Sequence, residues 1–244
     1  MSLHPVEHKI LTEIAGGKVL ELGAGKGYTA NELSQIFPRV IGIEPETNII
    51  FSDDAQKNYS RSKNFDIVAA YGEGLPFENN SFDCVFSHWS LHHYVYPIAV
   101  FSETYRVLKR TGYFYLADGI DIPQKKMTPK QRNHFQFHNV AVLADRILGK
   151  NHFNLYDEKI IRNFLENTGF KIKTFQIITD ENPDDEKYEQ DYIASYSDVI
   201  QKLTDKMIRL GKSSVAEKLS KLKKSIENIG IRISPFAIFV GQRP

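Results

Sequence analysis

Hydrophobic residues in the first half of the chain form short continuous runs that alternate with stretches of helical spacing. The runs predict buried strands at residues 18–22, 39–44, 66–70, 82–87 and 112–118. The stretches predict helices, of which the clearest are at residues 5–15, 29–37 and 97–108. Apolar strands separated by helices are typical of a parallel sheet that is covered on both faces. This part of the chain therefore predicts an α/β fold.

The pattern changes after Asp118, where longer helical stretches predominate. The pair Thr128-Pro129 predicts the start of a helix within residues 120–150, because threonine caps helices and proline suits their first position. Further on we expect the following elements: a helix at 157–169, a strand at 170–178, an acidic loop at 180–191 and an apolar strand at 231–241 that pairs antiparallel with its neighbour. Before that strand lie two amphipathic helices, with apolar stripes formed by Val199, Leu203, Met207 and Leu210, and by Val215, Leu219, Leu222 and Ile226.

The composition limits the class of protein. The 244 residues fit one large α/β domain, and a net charge of +1 gives no field that would attract nucleic acid or a membrane. A single cysteine, Cys84, excludes an internal disulfide and a cysteine-based zinc site, and it is typical of a reducing compartment. No apolar run approaches twenty residues, and the first residues lack the order of a signal peptide. We therefore expect a soluble, cytoplasmic protein without a membrane or nucleic-acid partner.

Three glycines spaced by two, Gly23, Gly25 and Gly27, follow the first predicted strand and precede a predicted helix. Because glycine has no Cβ, the backbone of such a turn can approach a ligand closely. Glu44 stands about twenty residues further on, at the tip of the second strand. An acid at this position holds the hydroxyl groups of a ribose. The arrangement predicts a nucleoside cofactor.

The spacing of the glycines indicates which cofactor is bound. A dinucleotide fingerprint, G-x-G-x-x-G, needs its third glycine where this chain has Tyr28, which argues against NAD. The string from Glu21 to Gly27 has an acid two residues before the first glycine. It resembles motif I of class I S-adenosylmethionine (SAM) dependent methyltransferases. The alternative left open is a glycine-rich turn with no ligand.

Further segments resemble the same family, in the same order along the chain: residues 43–45, 72–77, 80–85, 91–93, 107–113 and 164–170. They are most like the small-molecule branch typified by ubiquinone and menaquinone biosynthesis methyltransferases. The resemblance implies a Rossmann-like sheet of seven strands, with the last strand antiparallel and helices on both faces. It also implies a single domain over residues 1–244, with helical lid elements at about 1–16, 120–155 and 180–230.

The resemblance implies a set of residues for the site as well. The expected contacts of SAM are Glu21, Gly23, Ala24, Gly25, Gly27, Glu44, Pro45, Gly72, Glu73, Ser87 and His88. Glu44 would accept the ribose hydroxyls, and Glu21 would orient the glycine loop or meet the ammonium group of SAM. The family often has an aspartate where this chain has Tyr71, so the adenine would stack on Tyr71 or rely on the backbone near Gly72. His88 would line the methionine part of SAM or act as a base on the acceptor.

Two further groups of residues suggest chemistry but have simpler explanations. His134 and His138 lie one turn apart, a spacing that suits two metal ligands on one helix face. Aromatic neighbours, without acids or cysteines beside them, favour a lid helix, so no metal site is predicted. The lysines between residues 218 and 224 suggest RNA at first sight. Because leucines are interspersed among them, a solvated amphipathic helix explains the segment more simply.

The resemblance implies transfer of a methyl group from SAM to a small-molecule acceptor by in-line displacement, with S-adenosylhomocysteine as the product. Aromatic residues outside the SAM core favour an apolar or planar acceptor: Phe135, Phe137, Phe153, Tyr188, Tyr192 and Tyr196. The alternatives left open are an RNA or protein methyltransferase, a non-catalytic SAM- or nucleotide-binding protein, and a nicotinamide-dependent oxidoreductase. The residues specify neither the acceptor, nor its reacting atom, nor the oligomeric state.

Overall fold

The computed structural model describes residues 3–179 and 189–244. The chain divides into two compact units. The first, called the sheet unit, consists of Met1–Asp118, Glu158–Ile177 and Ala237–Pro244. The second, called the helical unit, consists of Gly119–Asp157 and Ile178–Phe236. The limits of the helical unit lie close to those predicted for two of the lid elements, whose action as a lid stays a prediction.

Seven strands of the described residues form one sheet, in the order β3-β2-β1-β4-β5-β7-β6. Their bounds are β1 Lys18–Leu22, β2 Arg39–Ile43, β3 Phe65–Val68, β4 Phe82–His88, β5 Leu108–Gly119, β6 Lys171–Ile178 and β7 Phe236–Gln242. The strands β1 to β5 pair in parallel, β1 with β2 and β4, β2 with β3, and β4 with β5. The central part of the sheet is therefore the predicted parallel sheet.

The last strand runs against its neighbours. Thr111 N donates to Arg243 O at 2.8 Å, and Arg243 N donates to Gly112 O at 3.0 Å. Such reciprocal bonds join an antiparallel pair, and β7 is antiparallel to both β5 and β6. The predicted fold class, a seven-stranded Rossmann-like sheet with the last strand antiparallel, is confirmed.

Helices connect the strands and form the rest of the structure. Their bounds are α1 Pro5–Ile14, α2 Ala30–Ile36, α3 Thr47–Ile50, α4 Asp53–Tyr59, α5 Pro97–Val107, α6 Pro129–Ile147, α7 Glu158–Thr168, α8 Glu189–Arg209 and α9 Ser213–Ile229. The predicted start of α6 is confirmed, because Thr128 Oγ1 accepts a hydrogen bond from Gln131 N at 3.2 Å. None of the described helices is long and apolar enough to span a bilayer.

Helices cover both faces of the sheet, because neighbouring residues of a strand point to opposite sides. On one side Phe114 of β5 packs edge-on against Phe101 of α5, with ring centroids 5.3 Å apart. On the other side Tyr115 stacks on Phe86 of β4, also at 5.3 Å, and its hydroxyl bonds to Glu7 of α1. All four rings are fully buried. The core of the sheet unit therefore lies on both sides of β4 and β5.

The last strand is shorter at its start than the sequence predicts, since β7 begins at Phe236 and not at residue 231. The residues before it have other partners within the helical unit. Arg232 N donates to Lys130 O at 3.2 Å, and Ser234 N donates to His134 Nδ1 at 3.1 Å. Because α6 takes these donors, they are not available to a strand ladder.

The helices α6, α8 and α9 share the core of the helical unit, whose buried residues are Ala144, Ile200, Met207, Ala216, Leu219, Leu222, Ile226 and Ile231. The predicted stripe of α9 is confirmed. The predicted stripe of α8 is confirmed at Leu203 and Met207, which pack against or lie in this core. It is wrong at both ends, because Val199 and Leu210 are exposed and Ile200 is buried instead. The predicted acidic loop is wrong at residues 189–191, which begin α8, and its residues 180–188 lie outside the described residues.

The aromatic residues expected to face an acceptor belong largely to this interior. Phe135 is buried with Met127 and Leu155. Phe137 packs edge-on against Tyr196, with ring centroids 5.1 Å apart, and both lie against the core of the helical unit. Tyr188 lies outside the described residues. An aromatic stripe at helical spacing thus indicates packing here, and it carries no information on the acceptor.

Candidate functional site

The glycine loop links β1 to α2 and is held from two sides. Gly27 has a φ of +72°, and a Cβ placed on it would lie 2.6 Å from the ring of Tyr59. Gly25 has a φ of +53°, and a Cβ there would meet nothing nearer than Gly23 O at 4.0 Å. Both positions need the left-handed conformation that glycine favours. Gly27 is therefore a packing requirement, whereas the loop at Gly25 faces open space.

Glu44 lies directly after β2 and is tied to this loop. Its Oε2 accepts a hydrogen bond from Gly25 N at 3.0 Å, and its Oε1 accepts one from Glu46 N at 3.0 Å. Only 7% of the residue is exposed. Burial raises the pKa of the carboxyl group and outweighs the opposing effect of these two backbone donors. The structure thus brings together the predicted ribose acid and the predicted loop, with Ala24 N bonded to Ile43 O at 2.8 Å and Pro45 half-buried beside them.

Glu21 lies on β1 below the loop, and only 2% of it is exposed. Its Oε1 accepts a hydrogen bond from the Thr29 hydroxyl, so it anchors the residue at which the loop enters α2. Its Oε2 has no hydrogen-bond partner among the described residues. Burial raises the pKa of this carboxyl group to about 7, against the opposing effects of Thr29 and His88. A buried acid with one unsatisfied oxygen suits a cationic ligand group.

The end of β4 carries a strained turn beside the loop. Trp89 has a φ of +53°, an outlier for a bulky side chain, and its N–H is held by Ala117 O at 2.8 Å. Ser90 Oγ donates to Leu22 O at 3.2 Å and lies against Gly23. Ser87 is fully buried, with its hydroxyl 3.0 Å from that of Tyr94. Strain of this kind collects at functional sites.

His88 contacts a residue that the sequence did not single out. Its Nε2 lies 3.2 Å from Glu7 Oε1, and both side chains are almost fully buried. Glu7 accepts hydrogen bonds from the Tyr115 hydroxyl at 3.0 Å and from His4 N at 2.9 Å, whereas His88 Nε2 is close to it without hydrogen-bond geometry. Burial would raise the pKa of Glu7, but the charge and proximity of His88 and these donors lower it. Glu7 is therefore an ionised acid that faces the candidate catalytic imidazole.

The segment after β3 lies against the start of α5. A Cβ on Gly72 would lie 3.2 Å from the side chain of Val100, and Glu73 Oε1 accepts a long hydrogen bond from Tyr96 N at 3.4 Å. Tyr71 is 62% exposed. Its ring is therefore open to stacking with a flat group, whereas Gly72 and Glu73 have structural contacts of their own.

Another buried acid and imidazole lie at the ends of β4 and β5. Asp118 accepts a hydrogen bond from Leu91 N at 2.7 Å, and its Oδ1 lies 2.6 Å from His92 Nδ1. Burial would raise the pKa of Asp118, but His92 and the backbone donor lower it. His92 is buried, whereas His93 is exposed. The pair holds the turn after β4 onto β5, and Asp118 was also missed by sequence reasoning.

Residues 20–116 match the family model described as a methyltransferase domain. This segment, about two fifths of the chain, is therefore similar to a methyltransferase domain. The ubiquinone/menaquinone biosynthesis C-methyltransferase of Blochmanniella floridana is 25% identical to the chain over 172 residues, which cover 64% of the chain and 66% of that protein. The uncharacterized methyltransferase YcgJ of Bacillus subtilis is 30% identical over 104 residues, 41% of the chain and 40% of that protein. The matches thus span two thirds or less of these relatives.

The fold of the chain recurs in solved structures. A SAM-dependent methyltransferase from Methanosarcina mazei matches with a TM-score of 0.59 and 17% identity, over 100% of this chain and 99% of that one. At this identity the likeness shows the fold alone. With the family model and the relatives, the resemblance to class I SAM-dependent methyltransferases of the ubiquinone and menaquinone type is confirmed.

The structure brings some of the predicted site residues together. The glycine loop, Glu21 and Glu44 form one connected group through Gly25 and Thr29, and Ser90 joins the end of β4 to it. The two site residues that sequence reasoning missed are Glu7 and Asp118. Both are acids that lie outside the segments that resemble the family's motifs. The signal for Glu7 was present, because it precedes Ile10 and Leu11 by three and four residues and therefore shares their buried helix face.

Proposed function

We propose that the protein is a methyltransferase that uses SAM and a small-molecule acceptor. The observation that carries the proposal is the group formed by the open glycine loop, Glu44 and the unsatisfied oxygen of Glu21. Glu44 suits the ribose hydroxyls of SAM, and Glu21 suits its ammonium group. The open loop lets the backbone approach the ligand closely. The SAM site proposed here consists of Glu21, Gly23, Ala24, Gly25, Gly27, Glu44, Pro45, Gly72, Glu73, Ser87 and His88.

The residues fit SAM in their chemistry. The Glu44 carboxylate is already aligned by Gly25 N and Glu46 N, and each oxygen keeps a lone pair for a ribose hydroxyl. Glu21 Oε2 is a buried acceptor without a partner among the described residues, which suits an ammonium group. The exposed ring of Tyr71 offers a stacking surface for adenine. When bound, SAM supplies a methyl group on a sulfonium, which an acceptor attacks in line.

The chain's own contribution to the reaction is mainly positioning, which can supply roughly 7–11 kcal/mol of the barrier. The glycine loop and Glu44 would hold SAM, one of the two reactants. His88, whose Nε2 lies 3.2 Å from Glu7 Oε1, is the group that would take a proton from an acceptor. In the neutral tautomer that carries its proton on Nε2, the lone pair of His88 lies on Nδ1. Glu7 thus orients His88 in the way that carboxylates orient catalytic imidazoles elsewhere.

A small acceptor is favoured over a polymer by the charge of the chain. The net charge is +1, and two lysines of α9 are paired with acids, Lys221 with Glu217 and Lys223 with Glu227. The relative that acts in quinone biosynthesis points the same way. If the acceptor were RNA, activity would fall steeply with added salt. The proposed location is the cytoplasm, since the single cysteine, Cys84, is buried and free.

Calorimetry with SAM, S-adenosylhomocysteine and NAD tests the proposal. We expect SAM and S-adenosylhomocysteine to bind, and Glu44→Ala to weaken both by about 10- to 100-fold, because hydrogen bonds to a charged group contribute about 1.5–3 kcal/mol. Glu46→Ala is the matched control, since that residue is exposed and its hydrogen bond to Glu44 comes from the backbone N–H, which the substitution keeps. Binding of NAD with indifference to SAM would overturn the proposal. Unchanged affinity in Glu44→Ala would remove the ribose assignment alone.

A further inference from the structure

Two buried histidines of the helical unit face one another. His138 lies on α6, and His152 follows α6 after a reversal of the chain. The reversal is local, because Gly149 has a φ of +72° and Lys150 N bonds back to Asp145 O at 2.9 Å. The pair is not the one that the sequence suggested. His134, one turn before His138, bonds to Ser234 instead.

Each imidazole is held by an acceptor on its far side. His152 Nδ1 lies 2.8 Å from Asp145 Oδ2, and His138 Nε2 lies 3.2 Å from the carbonyl oxygen of Phe153. A carboxylate and a carbonyl only accept hydrogen bonds. When both rings are neutral, their protons are therefore on these far nitrogens. The near nitrogens, His138 Nδ1 and His152 Nε2, then both carry lone pairs, and they lie 3.4 Å apart.

Two lone pairs at this distance repel unless a positive species lies between them. Nitrogens bound to one zinc ion at about 2.0–2.1 Å lie about 3.3–3.4 Å apart at the tetrahedral angle, and about 2.9 Å apart at a right angle. N–H donors usually stand about 2.7–3.2 Å from their acceptors. The observed 3.4 Å matches the tetrahedral metal edge and exceeds the usual hydrogen-bond range. The rings meet edge to face, with an angle of 81° between their planes.

We propose that His138 and His152 are two ligands of a divalent transition-metal site, with zinc the best fit to their spacing. Asp145 and the Phe153 carbonyl are the outer partners that fix ligand tautomers in metal sites. Imidazole nitrogens suit zinc, copper and nickel, and the tetrahedral spacing selects zinc among these. This proposal differs from the sequence analysis, which predicted that the helix carrying His138 is a lid helix without metal ligands. It is independent of methyl transfer, and its test does not use that activity.

The test uses the untagged full chain, freed of metal by dialysis against a chelator. Zinc is titrated in competition with a chromophoric chelator, and cobalt in a parallel experiment whose visible absorption reports tetrahedral coordination. We expect one equivalent of zinc to bind, and His138→Gln and His152→Gln each to weaken binding by at least about 10-fold. His8→Gln, an exposed histidine of α1, is the matched control for surface binding and leaves the affinity unchanged.

A second variant keeps both ligands and so guards against misfolding. Asp145→Asn removes the charge behind His152 and is expected to lower zinc affinity by about 10- to 100-fold. Asp198→Asn, an exposed acid paired with Lys202 on α8, is its control. Equal zinc affinity in the wild type and in all three site variants would overturn the proposal. So would a metal-free protein that ignores zinc while nitrogen NMR shows one proton shared by the two rings.

Discussion

Protonation of Glu21 should control the stability of the sheet unit near neutral pH. The carboxyl group is buried, satisfied on one oxygen by Thr29 and unsatisfied on the other among the described residues. Burial raises its pKa from an ordinary 4.5 to about 7. An acid whose pKa is higher in the folded state favours folding at low pH. Its contribution is fully present below pH 4.5 and is lost as the pH rises through about 7.

The size of the effect follows from the two pKa values. A difference of one pKa unit corresponds to about 1.36 kcal/mol, so the change from 4.5 to about 7 corresponds to about 3 kcal/mol. The wild-type curve alone is not diagnostic, because Glu44 shifts in the same direction and Glu7 and Asp118 in the opposite one. The difference between wild type and Glu21→Gln isolates the contribution of Glu21. Glutamine stays neutral and keeps an acceptor for Thr29.

Urea unfolding of both proteins at pH 5, 6, 7 and 8 measures this difference. We expect similar free energies of unfolding at pH 5, where the buried acid is protonated. At pH 8 the variant should be more stable, by up to about 3 kcal/mol. Glu13→Gln, an exposed glutamate of α1, should show a difference that does not change with pH. A pH-independent difference for Glu21→Gln, or a wild type that gains stability over it above pH 7, would refute the reasoning.

Two further substitutions test the packing of the loop and of His88. Gly27→Ala would place a Cβ 2.6 Å from the ring of Tyr59 at a positive φ, so we expect a loss of about 2–4 kcal/mol in thermal unfolding. Gly74→Ala, which meets nothing within 4 Å, should change stability by less than about 0.5 kcal/mol. Glu7→Gln removes an acid whose pKa is lowered. It should destabilise the protein at neutral pH by about 1–3 kcal/mol. The difference in free energy of unfolding between wild type and variant should vanish as the pH falls below 4.5, which is the reverse of the dependence expected for Glu21. A difference that does not change with pH would contradict the pairing with His88.

The parts of the fold that the sequence predicts are those encoded over short distances. A strand of four or five apolar residues and a glycine turn depend on neighbours in the chain, and β1, the loop and β2 are found as expected. Which of two neighbouring apolar residues of a helix faces the core depends instead on the elements that pack against that helix. In α8, Val199 and Ile200 are both apolar, and contacts with α6 and α9 bury Ile200 and leave Val199 exposed.

Long-range pairs explain what sequence reasoning missed at the site. His138 has a helical neighbour at the right spacing in His134, yet its partner is His152, which is reached only through the turn at Gly149. Spacing along a helix states which residues share a face, but it does not state what lies opposite that face. A helix-based rule for metal ligands therefore finds one correct histidine here and pairs it with the wrong one.

The register of three strands creates the most unusual electrostatic feature of the sheet unit. Glu21 of β1 lies opposite Phe86 of β4, and Phe86 lies opposite Tyr115 of β5. His88, two residues after Phe86, points to the same face of the sheet. There its Nε2 lies 3.2 Å from Oε1 of Glu7, a residue of α1.

Two carboxyl groups thus lie near one buried imidazole, which lowers the pKa of both. The net pKa shifts nevertheless differ: the pKa of Glu7 falls because His88, His4 N and the Tyr115 hydroxyl outweigh its burial, whereas burial raises that of Glu21. Paired environments that push two acids apart in this way are typical of catalytic sites. At neutral pH the group therefore holds one fixed negative charge beside His88 and one acid, below the glycine loop, that is poised to ionise when a cation arrives.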